Sequence, residues 1–78
     1  MTRTPVNSNH LRSVGHEPRS GTLEVEFMNG DIYQYENVPM AAYREIIQRP
    51  SPGHAFDSLI KSKPFRFTKV NDSANTTR

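Results

Sequence analysis

GTLEVEFMNGDIYQYENVP, residues 21–39, has the pattern of one β-hairpin, and this hairpin decides the fold. In LEVEF, residues 23–27, apolar residues alternate with glutamates, which is the period of a strand with one buried face. The pair Asn29-Gly30 favours a tight turn because both residues tolerate a positive φ. IYQY, residues 32–35, then forms the returning strand, and we expect the rest of the chain to cover the apolar face of the hairpin.

Two turns are compatible with this hairpin, and they place its tyrosines differently. A two-residue turn would put Tyr33 and Tyr35 on the solvent face, opposite glutamates. A three-residue turn with Gly30 in a left-handed bulge position pairs Val25 with Tyr33. Leu23 then pairs with Tyr35. We favour the bulged turn, because each aromatic–aliphatic cross-strand pair stabilises the sheet by about 0.2–1 kcal/mol. We therefore expect both tyrosines to be core residues, which would join a ligand surface only in the other register.

Size and composition predict one small domain with a thin core. The chain has 78 residues, of which 33% are hydrophobic, and it contains no cysteine. Chains of this size bury only about 60% of their unfolded surface, so stability must come from packing or from a partner. Residues 1–8 and 71–78 are polar and aperiodic, which predicts disordered tails on either side of a single domain, residues 9–70.

Charge and hydropathy narrow the function classes. No apolar run approaches the roughly 18 residues of a membrane helix, and the first residues lack the apolar segment of a signal peptide, so we expect a cytoplasmic protein with no membrane partner. The net charge of +2, with a pI near 9.3, is too small to argue nucleic-acid binding by itself. We expect no metal or other cofactor, because cysteine is absent and the histidines have no paired carboxylate nearby.

The segment before the hairpin predicts a first strand. Residues 9–16 lead into a turn at residues 17–21 that contains both proline and glycine. Leu11 and Val14 lie three positions apart, so a regular strand cannot bury both. Either a bulge intervenes or one of the two side chains is exposed.

Two apolar stripes at helical spacing follow the hairpin. The first begins at Pro39, whose fixed φ suits the first helical position, and it ends at about Gln48 because a proline follows. The second begins with Ser51 as the N-cap and ends before Pro64. The stripes consist of Met40, Tyr43, Ile46 and Ile47, and of Ala55, Phe56, Leu59 and Ile60.

The order of elements is β-β-β-α-α, which predicts an α+β fold. A three-stranded antiparallel meander is followed by two short helices packed on one of its faces. The sequence FRFTKV, residues 65–70, alternates again and forms either a short C-terminal edge strand or an extended tail.

The spacing V-x-F-x-N-G-x-x-Y-x-Y-x-x-V-P, followed by S-x-G-x-x-F-x-x-x-I, resembles the KTSC domain family over roughly residues 8–60. The matching residues are Val25, Phe27, Asn29, Gly30, Tyr33, Tyr35, Val38, Pro39, Ser51, Gly53, Phe56 and Ile60. We interpret them as structural. The family takes its name from a C-terminal extension of some lysyl-tRNA synthetases, and this attachment implies RNA binding. His16 stands where the family often has an aromatic residue, and the resemblance does not explain the basic segment 61–70.

That basic segment interleaves cationic and aromatic residues. Sheets that bind single-stranded RNA stack bases on exposed rings and hold phosphates with lysine and arginine. The candidate nucleic-acid-binding residues are Lys61, Lys63, Phe65, Arg66, Phe67 and Lys69, supported by Arg12 and Arg19. The competing interpretation is a solvated end of a small domain, because Lys61 and Lys63 also complement the dipole at a helix C-terminus.

We expect a binding module without catalysis. Ser51 and His54 have the spacing of a helix start, and no nucleophile and base share a motif. The alternative to RNA is a protein partner, to which the sheet edge or residues 65–70 would add a strand with Phe65 and Phe67 as anchors. Ionic strength distinguishes the two, because phosphate binding weakens steeply with salt and apolar strand addition does not.

Overall fold

The predicted hairpin is the centre of an antiparallel sheet. In the computed structural model, which describes residues 3–48 and 50–70, this sheet has five strands that lie side by side in chain order. The strands are β1 (Thr4–Pro5), β2 (Leu11–Glu17), β3 (Thr22–Phe27), β4 (Ile32–Tyr35) and β5 (Phe67–Lys69). The helices are α1 (Met40–Gln48) and α2 (Pro52–Phe56), and α2 continues as a π-helical turn, Asp57–Lys61. The predicted α+β fold is confirmed.

The hairpin has the bulged turn that the cross-strand pairs favoured. Val25 lies opposite Tyr33 and Leu23 lies opposite Tyr35. Within the turn the N–H of Gly30 donates to the carbonyl of Phe27 at 2.9 Å. Gly30 has a φ of 95°, a conformation that costs a residue with a side chain but not glycine. The tyrosines therefore lie on the apolar face of the sheet.

A β-bulge in β2 resolves the spacing of its two apolar residues. Leu11 pairs with Phe27 whereas Ser13 pairs with Glu26, so the register shifts between Leu11 and Ser13. Because the extra residue changes the side-chain alternation, both Leu11 and Val14 point inward. Both are fully buried.

The helices begin and end close to the predicted residues. α1 starts at Met40, and the carbonyl of Pro39 accepts the N–H of Ala42 at 3.0 Å. Pro39 thus occupies the N-cap position, one residue before the first helical position predicted for it. α1 ends at Gln48 as expected, and α2 begins with Pro52 after Ser51 at the N-cap. The side chain of Ser51 makes no capping hydrogen bond.

The helices cover one face of the sheet at β2 and β3, and the hydrophobic core lies between the two layers. Its apolar members are drawn from both predicted helical stripes and from three strands. They are Leu11, Val14, Leu23, Val25, Tyr35, Val38, Ile46, Ala55, Phe56 and Ile60. Among the described residues no helix is long and apolar enough to cross a membrane.

The prediction of a disordered tail at residues 1–8 is wrong for residues 3–8. Thr4 pairs with Val14 and Pro5 pairs with Ser13, so this segment adds an edge strand to the sheet. Val6 donates its N–H to the carbonyl of Arg12 at 3.1 Å and packs against the core. A two-residue edge strand that contains proline has no apolar period for the sequence to reveal. The predicted tail at residues 71–78 lies outside the described residues.

At the other edge, the segment after the helices is a strand rather than an extended tail. Tyr35 lies opposite Phe67 and Tyr33 lies opposite Lys69. The N–H of Val70 donates to the carbonyl of Ile32 at 2.8 Å, which continues the pairing beyond β5. The short C-terminal edge strand is therefore present.

Candidate functional site

The helices cover only part of the apolar face of the sheet. α1 packs against β2, and the side chains of β2 and β3 beneath the helices are fully buried. On β4 and β5 the same face is open, since Tyr33 is only partly buried and Phe67 is 56% exposed. An exposed phenylalanine beside a partly exposed tyrosine is the feature that marks a candidate site here.

Three rings lie together here, and we call them the aromatic surface: Tyr33 and Phe67, which reach solvent, and Tyr35, which is buried beside them. The rings of Tyr33 and Tyr35 stack at a centroid distance of 6.4 Å. Phe67 lies 5.6 Å from Tyr33 and 5.2 Å from Tyr35. Beneath them, Phe27 contacts Tyr33 edge-on at 5.5 Å, and Phe56 contacts Tyr35 edge-on at 5.6 Å. The surface is thus supported from the core by two further rings, which fix its orientation.

The aromatic surface is the floor of a shallow groove between the sheet and the π-helical turn. Three adjoining depressions of about 330, 330 and 130 Å³ make up this groove, which we call the aromatic groove. The first lies beside residues 9–11, the second lies over the aromatic surface, and the third lies beside Lys63 and Phe65. Lys61 lines all three depressions.

The π-helical turn positions Lys61 over the groove. Ile60 is fully buried, so the next side chain, that of Lys61, emerges at the boundary between helix and sheet. The turn is closed by the N–H of Ser62, which donates to the carbonyl of Asp57 at 3.0 Å. The hydroxyl of Ser62 also donates to the carbonyl of Ser58 at 2.6 Å. Single π-helical turns of this kind occur often at functional sites.

Two aspartates line the aromatic groove: Asp57 lines the first depression, and Asp31 lines the one over the aromatic surface. The ammonium of Lys69 lies 3.4 Å from Oδ1 of Asp31. Oδ2 of Asp31 accepts a hydrogen bond from Nδ2 of Asn29 at 3.3 Å. Lys69 therefore has an anionic partner, and Lys61 lines the depression over the aromatic surface.

Burial changes the acidity of one ring of the aromatic surface. It raises the pKa of the Tyr35 phenol above its ordinary value, and negative charge at Tyr33 and at Asp57 would add to this effect. Tyr35 is therefore a neutral phenol at ordinary pH. Among the described residues no group of three or more histidine, aspartate or glutamate side chains could hold a metal ion.

The structure brings together five of the predicted nucleic-acid-binding residues. They are Lys61, Lys63, Phe65, Phe67 and Lys69. Tyr33 joins them although it was expected in the core. The hairpin register is the predicted one, and Tyr33 is accessible because the helical layer covers β4 at Tyr35 but not at Tyr33. A single sequence does not show how far a helical layer extends across a sheet.

The other three predicted residues lie elsewhere. Arg66 precedes Phe67 on a paired strand, so its side chain points to the opposite face of the sheet. Arg12 is on β2, three strands and about 14 Å from β5, and its Nε lies 3.8 Å from Oε2 of Glu26. Arg19 is in the turn between β2 and β3. These arginines are not part of the aromatic groove.

Several of the family-motif residues have structural roles. Val25, Val38, Phe56 and Ile60 belong to the core. Gly53 allows close approach of the N-terminal segment, because a Cβ at this position would meet Oγ of Ser8 at 2.9 Å. That hydroxyl accepts hydrogen bonds from the backbone N–H groups of His10 and Leu11, where β2 begins. The structural interpretation of these motif positions agrees with their packing.

His16, which departs from the family pattern, also has a structural role. Its Nε2 lies 2.6 Å from the carbonyl oxygen of Val38, and its ring stacks on that of Tyr43 at 5.8 Å. It therefore joins β2 to the segment that leads into α1.

The chain is thus a small α+β domain in which the helices leave part of β4 and β5, with their aromatic side chains, uncovered. The family model for the KTSC domain matches residues 7–65, and the chain belongs to the KTSC domain family. The crystal structure of a KTSC domain protein from Yersinia pestis is similar, with a TM-score of 0.81 and 37% identity. The similarity covers 90% of this chain and 97% of that one.

Two curated relatives place this domain in different contexts. An uncharacterized protein of Stutzerimonas stutzeri is 34% identical over 71 residues, which cover 91% of this chain and all of that protein. A lysine–tRNA ligase of Nostoc punctiforme is 31% identical over 61 residues, which cover 78% of this chain but only 11% of the ligase. The chain thus matches one small segment of the ligase.

Proposed function

We propose that this domain binds single-stranded RNA in the aromatic groove and carries out no catalysis. The observation that carries the proposal is the exposed ring of Phe67 beside the partly exposed ring of Tyr33, with Lys61 lining the same depression. Base–aromatic stacking contributes about 1–3 kcal/mol per base, and it accepts any base because each has a π-face. The exposed face of Phe67 supplies such a platform.

In this proposal, the lysines around the groove contact the phosphates of the RNA. Lys61, Lys63 and Lys69 are exposed and lie along its length. A single strand whose bases stack on the rings would pass its phosphates over these ammonium groups. The match to a segment of lysine–tRNA ligases supports RNA as the ligand class, because those enzymes act on tRNA. Such a role corresponds to a cytoplasmic location.

Binding of labelled single-stranded RNA, followed by fluorescence anisotropy at low and moderate salt, tests the proposal. We expect Phe67→Ala to weaken binding between about five-fold and a hundred-fold, as the loss of one stacked base implies. We expect Lys61→Met to lower the slope of log affinity against log salt by about 0.7, because one phosphate contact is lost. Arg19→Ala, which removes a cation outside the groove, is the matched control.

Two results would contradict the proposal. One is the absence of binding at low salt. The other is an equal loss of affinity for Arg19→Ala and Lys61→Met, because general charge would then explain the interaction. Thermal melting of each variant separates loss of binding from loss of folding.

The open edge of β5 supports a second candidate, the addition of a strand from a protein partner. β5 pairs with β4 on one side, and among the described residues no strand pairs with its other side. Phe67 and Val70 are 56% and 44% exposed there. Since the N–H of Val70 points toward β4, alternation directs the N–H of Lys69 outward. Strand addition would therefore persist in high salt and be blocked by Lys69→Pro but not by Lys69→Ala.

A further inference from the structure

The carboxylate of Asp31 lies in the wall of the aromatic groove, where its Oδ1 is in an ion pair but accepts no hydrogen bond within the described part of the chain. Its Oδ1 is buried and has no hydrogen-bond partner among the described residues, although the ammonium of Lys69 lies 3.4 Å away. A buried carboxylate oxygen without a hydrogen bond is unfavourable, so this atom gains from a ligand that donates to it.

The orientation of this carboxylate is set by the turn. The backbone N–H of Asp31 donates to Oδ1 of Asn29 at 2.9 Å, and Nδ2 of Asn29 donates to Oδ2 of Asp31 at 3.3 Å. Asp31 lies two residues before Tyr33, so both side chains are on the same face of the sheet. A base stacked on the rings of Tyr33 and Phe67 would therefore turn one edge toward Asp31.

Lys69 is the movable part of this arrangement. Its side chain is 38% exposed, whereas that of Asp31 is 16% exposed. A lysine ammonium on a flexible stem can move to a nearby phosphate, and the carboxylate is then left for the base. The same groove thus offers stacking, a phosphate contact and an acceptor for base donors.

From these contacts we infer that Asp31 gives the groove a preference for guanine, an inference that rests on the proposed RNA binding. Guanine presents two adjacent donors, N1–H and the N2 amino group, which match the two oxygens of a carboxylate. Adenine and cytosine present one amino donor beside an acceptor. Uracil presents one N–H between two carbonyl oxygens, which a carboxylate repels. The expected order of affinity is guanine, then adenine and cytosine, then uracil.

A cationic ligand fits this position less well. Aromatic rings beside a carboxylate can hold an ammonium group, and Lys69 already occupies that role. Lys61 also lines the depression, so a second cation would meet repulsion. A nucleobase, which is neutral and carries donors, is the better occupant.

The test uses five-nucleotide RNAs of uridine that carry guanosine, adenosine, cytidine, uridine or inosine at the centre. With the intact chain we expect the guanosine oligomer to bind about ten-fold more tightly than the all-uridine oligomer, as one additional charge-assisted hydrogen bond implies. Inosine lacks the N2 amino group and should bind between the two. Asp31→Asn should bring the guanosine and uridine affinities within about two-fold of each other, because an amide also donates to uracil carbonyls.

Lys69→Met is the matched control, since it removes the same ion pair from the other side. It should weaken all oligomers alike and leave the guanosine-to-uridine ratio unchanged. Equal binding of all oligomers by the intact chain, or an unchanged ratio in Asp31→Asn, would overturn the guanine preference while RNA binding stands. If no oligomer binds at low salt, the proposed function is overturned, and the preference with it.

Discussion

The two halves of one sheet face show how the same strand pattern can serve as core or as surface. On β2 and β3, the covered half, the inward residues include Leu11, Val14, Leu23 and Val25, and all four are fully buried. On β4 and β5, the open half, the same face carries Tyr33, Tyr35, Phe67 and Lys69, and of the three rings those of Tyr33 and Phe67 reach solvent. The covered half is aliphatic because helices pack on it, and the open half has rings that can face both protein and water.

The boundary between the halves runs through Tyr35. Its ring is 6% exposed and packs on Phe56 from the helical layer, while Phe67 packs on it from the edge strand. Tyrosine suits such a boundary because its ring buries and its hydroxyl reaches water. Phe67 has no polar group, so its exposure has no comparable structural explanation, and this is why we assign it to a binding surface.

The largest expected difference between the halves is in their contribution to stability. Phe56 is 1% exposed and contacts the rings of Phe27 and Tyr35. Phe56→Ala should lower the free energy of unfolding by about 3–5 kcal/mol, because a buried ring leaves a cavity. Phe67→Ala removes the same group from the open half and should cost less than about 1 kcal/mol. Urea unfolding followed by circular dichroism measures both.

The difference in unfolding free energy between these two alanine variants tests whether the two halves of the sheet face differ in burial. A small domain has little stability to lose, so Phe56→Ala is expected to be largely unfolded at room temperature. Similar costs for the two variants would mean that Phe67 is a core residue, and the division of the sheet face would be wrong.

A second prediction concerns how closely the covered half is packed. Alanine usually stabilises a helix over glycine by about 1 kcal/mol. At Gly53 the new Cβ would meet Oγ of Ser8 at 2.9 Å, and overpacking of this kind costs about 1–3 kcal/mol. Gly53→Ala should therefore destabilise the domain by up to about 2 kcal/mol, measured by thermal or urea unfolding.

A double-mutant cycle identifies the contact responsible. Ser8→Ala removes the clashing oxygen, although it also leaves the N–H groups of His10 and Leu11 without their acceptor. The double variant should therefore lose less stability than the two single variants combined. Additive losses would show that the effect of Gly53→Ala arises elsewhere.

Much of the fold was predictable because it depends on local patterns. The alternation in LEVEF, the Asn29-Gly30 turn and the two helical stripes each specify an element from neighbouring residues alone. The spacing of Leu11 and Val14 left two alternatives, a bulge in β2 or one exposed side chain, and the structure has the bulge. β1 was not predictable in this way, because its two residues acquire their structure only by pairing with β2.

The candidate site was predictable only in part, because it depends on how elements meet. Phe67 and Lys61 were found from their composition, since basic and aromatic residues interleave in one short segment. Arg66 belongs to the same segment, but strand alternation turns it to the other face. Tyr33 and Asp31 line the groove because the helical layer covers β4 only at Tyr35, and this is a property of the assembled fold.

The smallest expected effect lies at the boundary between the halves and depends on pH. Burial raises the pKa of the Tyr35 phenol in the folded domain above its ordinary value of 10.0. In alkali the unfolded phenol loses its proton first, so the folded state binds more protons and the free energy of unfolding falls as pH rises. The contribution of the neutral Tyr35 phenol to the free energy of unfolding is complete below about pH 10 and is lost as pH rises through the folded pKa.

Tyr35→Phe should therefore lose less stability than the intact chain between pH 8 and strongly alkaline solution. Tyr33→Phe is the matched control, because it removes a phenol from the open half. Parallel pH profiles for Tyr35→Phe and the intact chain would show that the helices do not close over this ring, and the boundary of the covered half would then lie at β3.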